Sequence, residues 1–91
     1  MREDEAISVE FFGVPRLLAG RAELAVAPGT VAAVLAAVER ACPRLRELVE
    51  ESGRLAPEYL LSLDGQEFVT DLSRELAAGT RLLLLSADAG G

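Results

Sequence analysis

Gly90 and Gly91 close the sequence at the end of an acidic ADAGG stretch, and they are the residues of this chain best placed to do chemistry. The chemistry is that of the backbone. Two residues without Cβ can thread a narrow channel and lay a terminal carboxylate against the reacting atoms of another protein. As a structural element the pair is poor, because glycine loses the most freedom on ordering and packs nothing. The chain holds 8 glycines in 91 residues, so an accidental Gly-Gly end on a plain interaction domain is the competing reading.

The rest of the composition removes most other chemistries. There is no histidine, which excludes histidine-based triads, general bases and metal ligands. Cys42 is the single cysteine, so neither a disulfide framework nor a thiolate metal cluster forms within one chain. It precedes Pro43 at a predicted helix end and reads as a half-buried small hydrophobe rather than a reactive thiol. No glycine-rich phosphate loop follows a strand. The net charge of −6 leaves no basic stripe for nucleic acid and favours a partner with a positive face. All the basic residues are arginines; lysine is absent. No apolar run approaches the 18 or so residues of a membrane span, and the acidic start has no signal-peptide pattern, so a soluble cytoplasmic protein without membrane or bound metal is expected.

One domain over residues 1–91 must position the diglycine. Ile7 to Phe12 alternates, with Ile7, Val9 and Phe11 on one face and Phe12 on the other. Gly13-Val14-Pro15 breaks that strand, Arg16 to Gly20 reads as a turn-forming segment, and Arg21 to Ala27 alternates again. Thr30 is a suitable N-cap for a helix carrying Val31, Val34, Leu35 and Val38 on one stripe. Pro43 ends that helix or starts a short second one, to which Leu45, Leu48 and Val49 give an apolar edge and which Gly53 closes. Glu58 to Leu63 reads as a strand, Asp64-Gly65 as a tight hairpin turn, and Gln66 to Val69 as the return. Asp71 to Leu76 is turn-like. Arg81 to Leu85 is a continuous apolar run, which fits a central strand with a parallel neighbour. The predicted fold is α+β: a roll with a mixed sheet of about five strands, one main helix and a short second helix. Val9, Phe11, Val31, Leu35, Val38 and Leu83 are its expected core, and residues 86–91 a flexible tail.

The opening VEFFGVPRLLAG, the PGTVAAVLAAV junction, the LSLDGQEF hairpin, the AAGTRLLLL strand and the terminal GG occur in an order and spacing that resemble the ubiquitin-like sulfur carriers. That family includes the small subunit of molybdopterin synthase and the thiamin-pathway carrier. The resemblance spans Ile7 to Gly91 and, through Phe11-Phe12, Arg16, Leu18 and Gly20, is closest to the molybdopterin-synthase subunit. Two positions depart from the family pattern: Thr80 stands where aspartate is usual before the last strand, and Ser86-Ala87 replaces a usual Pro-Pro after it.

The resemblance implies a β-grasp fold and a carrier that is not an enzyme by itself. A terminal carboxyl with a pKa of about 3.3–3.7 is ionised and a poor electrophile at neutral pH. In the family an activating enzyme spends ATP to adenylate the last glycine, and a sulfur donor then displaces AMP to leave a thiocarboxylate. Gly91 takes the reacting role here, no cofactor is bound, and a catalytic large subunit accepts the sulfur. Ala89 and Gly90 in the tail, Phe12, Phe68 and Leu85 on the open sheet face, and Arg16 at its edge are the implied partner contacts. Sulfur carriage for thiamin, cysteine, tRNA thiolation or a secondary metabolite stays open, as does a protein modifier joined to target lysines.

Overall fold

The computed structural model describes residues 2–87. The first strand, β1 (Ile7–Phe11), alternates buried and half-buried side chains as its sequence dictates. It pairs antiparallel with β2 (Glu23–Val26), Ile7 opposite Val26 and Glu10 opposite Glu23. Between them lies a six-residue helix, α1 (Val14–Ala19), where the sequence suggested only a turn. Six residues are too few to show a helical period and too few to hold a helix alone. Packing supplies what propensity does not: Pro15 is buried in the first turn, and Leu18 and Ala19 rest on the core. Gly20 ends the helix at φ 70°, a left-handed conformation that glycine takes without steric cost.

The next strand, β3 (Gly29–Thr30), leads directly into the main helix, α2 (Val31–Ala41). Thr30 is the N-cap, its hydroxyl accepting from the Ala33 amide at 3.1 Å. Val31, Val34, Leu35 and Val38 form the buried stripe. Pro43 stops the helix, but no second helix follows it. Leu45 and Leu48 are fully buried, so the apolar edge is real while its conformation is irregular. Glu47 sits at φ 58°, outside helical backbone, and the Glu39 carboxylate of α2 accepts the Leu48 amide at 3.0 Å. A single bridge between Val49 and Leu55 closes the loop.

The hairpin of β4 (Tyr59–Leu63) and β5 (Glu67–Phe68) turns at Asp64 and Gly65, at φ 54° and 72°. Both central residues then have positive φ, as the tightest hairpin turns require. The Asp71 carboxylate accepts from the Ser73 amide and hydroxyl, and the turn delivers β6 (Glu75–Leu76) to pair antiparallel with β3. The last strand, β7 (Arg81–Ser86), runs parallel to β1 and antiparallel to β4. The main sheet therefore has the order β2-β1-β7-β4-β5, with β7 at its centre, as the apolar run predicted.

The face carrying Ile7, Val9, Phe11, Leu61, Leu82 and Leu84 meets α2 in one continuous core. One expectation fails here. Leu83 is half-buried and lies on the opposite face, because β7 alternates and its core residues are Leu82 and Leu84. No helix among the described residues is long and apolar enough to cross a membrane.

Candidate functional site

The end of β7 is held on both sides. Ser86 pairs with Tyr59 of β4, and the Ala87 amide donates to the Glu58 carbonyl at 2.8 Å. The chain is thus fixed one residue beyond the strand, farther than the expected tail boundary at Ser86. On the other side the Phe12 amide donates to the Leu84 carbonyl, and Gly13 lies beside Ser86. Ala89, Gly90 and Gly91 lie outside the described residues.

Around this exit the face of the sheet opposite α2 carries an apolar patch. Leu85 lies directly across from Leu60, and Phe12 extends β1 at the same end of β7. One row further in, Leu83 faces Ser62, and Ser62 faces Phe68 on β5. Phe68 is 67% exposed, Phe12 40% and Leu60 38%; Leu83 and Leu85 are half-buried. The sequence-read set of Phe12, Phe68 and Leu85 does share one face. Leu60 and Leu83 were missed, although each was legible: Leu83 stands two residues before Leu85, and Leu60 two before Ser62, so each pair shares a face.

The patch stops at charge. Glu10, opposite Leu83, takes a two-pronged hydrogen-bonded ion pair from Arg81. That guanidinium holds the Glu10 carboxyl below its ordinary range. On the far side of the exit, Arg16 projects from α1 as an exposed side chain between exposed Val14 and Leu17. Its helix packs against β7, so Arg16 belongs to the exit rim and not to the sheet face. Among the described residues no cluster of acids, cysteines or histidines is arranged to hold a metal ion, and Cys42 is buried. The arrangement places the end of β7 beside an exposed apolar patch.

No family model matches this chain, and no curated protein matches it in sequence. Solved structures do. The crystal structure of the small archaeal modifier protein SAMP1 from Haloferax volcanii superposes with a TM-score of 0.79 at 26% identity, covering 94% of this chain and 99% of that one. The chain has the β-grasp fold of the ubiquitin-like carriers and modifiers. Urm1 from Trypanosoma brucei matches this β-grasp protein over the full length of both chains, with a TM-score of 0.69 at 18% identity. A Pyrococcus furiosus protein assigned as molybdopterin converting factor subunit 1 matches with a TM-score of 0.71 at 18% identity, over 89% of this chain and 95% of that one. At 18% these two speak to the fold alone. The resemblance to the ubiquitin-like sulfur carriers read from the sequence stands.

Proposed function

We propose that this β-grasp protein is a sulfur carrier whose Gly91 carboxylate is adenylated and then converted to a thiocarboxylate. The observation that supports it best is the placement of β7, a central strand that brings the chain out beside an exposed apolar face. Four residues follow Ala87, a span of at most about 14 Å when fully extended. That length suits insertion into a partner docked on the patch.

In the first step the carboxylate oxygen attacks the α-phosphorus of ATP held by an activating enzyme, and pyrophosphate leaves. A sulfur nucleophile then adds at the acyl carbon, and AMP leaves. The carrier contributes position and the partners contribute the acids and bases, so the rate gain comes from holding the reacting atoms together. The acceptor we favour is the catalytic large subunit of a molybdopterin-synthase-type complex, on the FF-x-x-x-R-x-L-x-G opening. The higher identity to a modifier protein than to the molybdopterin-type subunit supports a second reading, attachment of Gly91 to lysines of other proteins.

Incubation with ATP and an activating enzyme, with sulfide in one arm and a lysine-bearing acceptor protein in the other, tests both. A carrier gains the mass of one oxygen-to-sulfur exchange at its last residue; a modifier gives amide-linked adducts instead. An unchanged mass with no adducts would sink both readings.

The patch gives a separate expectation. Phe12→Ala and Phe68→Ala should each weaken binding to the activating enzyme roughly tenfold or more, as loss of an aromatic anchor does at an interface. Their melting temperatures should stay close to wild type, since both rings are exposed. Unfolding of both variants would place these rings in the fold's own support.

A further inference from the structure

An activated acyl group reacts with whatever nucleophile it meets first. This chain offers it almost none. Lysine and histidine are absent from the sequence. The single thiol, Cys42, is only 2% exposed at the end of α2. The single tyrosine, Tyr59, is half-buried, and desolvation together with the neighbouring Glu58 charge raises its phenol pKa, which suppresses the phenolate. Cationic roles are filled by arginine throughout. Arg81 pairs with Glu10 and Arg74 with Glu67 at 3.1 Å, while Arg44, Arg46 and Arg54 are exposed. A guanidinium keeps its proton above pH 12 and has no free lone pair to attack a carbonyl. A lysine in any of these exposed places is about 4% free amine at pH 9, from its ordinary pKa of about 10.4.

We propose that this β-grasp protein is a one-way acyl donor. Its folded surface accepts no acyl group on a side chain, so, the chain's own α-amine apart, an activated Gly91 is transferred only to a nucleophile that a partner supplies. This rests on the proposed activation of Gly91. In the carrier reading, the adenylate survives encounters with other copies until sulfur arrives. In the modifier reading, the protein caps its target once and does not extend into side-chain-linked chains. The reaction avoided is aminolysis: a lysine nitrogen adds to the acyl carbon, the C–N bond forms, the activating group leaves with the bonding pair, and the amine proton passes to water.

The property is testable without any activating enzyme, which separates its failure from failure of the carrier reading. The full chain is prepared with a thioester at Gly91 by intein cleavage, then held concentrated at pH 9. Products are mapped by peptide mass so that links through the α-amine are scored apart from side-chain links. Wild type should yield hydrolysed monomer with no side-chain-linked dimer. Arg44→Lys and Arg54→Lys, both at exposed positions, should yield such dimers at least about tenfold above the wild-type level, following the free-amine fraction. Side-chain-linked dimers of wild type would overturn the proposal. So would lysine variants as unreactive as wild type, because the absence of lysine would then not be what protects the chain.

Discussion

Removal of Gly91 alone is expected to abolish acquisition of sulfur while leaving the fold untouched. In the proposed mechanism the reacting group is the Gly91 carboxylate. Deleting one residue draws it back by roughly 3.5 Å along the chain. Misplacement by about 1 Å already costs on the order of a hundredfold when catalysis rests on positioning. Deletion should therefore put thiocarboxylate formation below detection, and added residues after Gly91 should do the same by burying the reacting group in an ordinary peptide bond. Gly90→Val leaves the carboxylate in place but should impair transfer, since a β-branched side chain stiffens the backbone and fills a channel shaped for glycine. Far-UV circular dichroism and melting temperature should match wild type for all three, because the buried core described between α2 and the five-stranded sheet is built from residues 7–84. The measurement is intact mass after incubation with ATP, activating enzyme and sulfide. Sulfur transfer by the deletion variant would remove Gly91 from the mechanism and with it the carrier reading.

The parts of this fold legible in the sequence are those fixed by local periodicity or local turn chemistry. Ile7 to Phe11 alternates, Thr30 caps a stripe of valines and Leu35, Asp64-Gly65 suits a two-residue turn, and the unbroken apolar run from Leu82 to Leu85 marks a strand covered by neighbours. What escaped is set by distant contacts. The helix Val14–Ala19 exists because the core receives Pro15 and Leu18, and the two-residue strands Gly29–Thr30 and Glu75–Leu76 exist because each supplies the other's partner. Residues 43–53 have helix-like apolar spacing, yet a carboxylate from α2 satisfies the Leu48 amide and frees the loop from needing helical hydrogen bonds. Leu83 shows a different failure. Placing Leu85 on the open face and Leu83 in the core violated the two-residue period of a single strand. The apolar open face was legible through Phe12, Phe68 and Leu85, whereas its full width depended on the register that sets Leu60 opposite Leu85.

Phe11 and Phe12 are adjacent in sequence and should respond oppositely to the same substitution. Phe11 is 1% exposed in a core shared by α2, β1, β4 and β7. Its replacement by alanine removes a large buried ring and leaves a cavity, at a cost of about 3–5 kcal/mol. Leu35→Ala, beneath the same sheet, should cost about 2–5 kcal/mol by the same mechanism. Small domains hold only about 5–15 kcal/mol of net stability, so Phe11→Ala should lower the melting temperature by more than about 12 °C. Phe12, 40% exposed beyond the end of β1, closes no cavity when shortened. The pair therefore separates two duties of one strand end. The core-side ring keeps β1 beside β7 and so fixes the exit of the chain, and the outward ring is the one proposed to meet the partner. Thermal melts of the two variants, with partner binding measured below the lower transition, resolve them. A Phe11→Ala loss under about 1 kcal/mol would mean that the α2 face does not carry the fold, and the central position of β7 would then need another explanation.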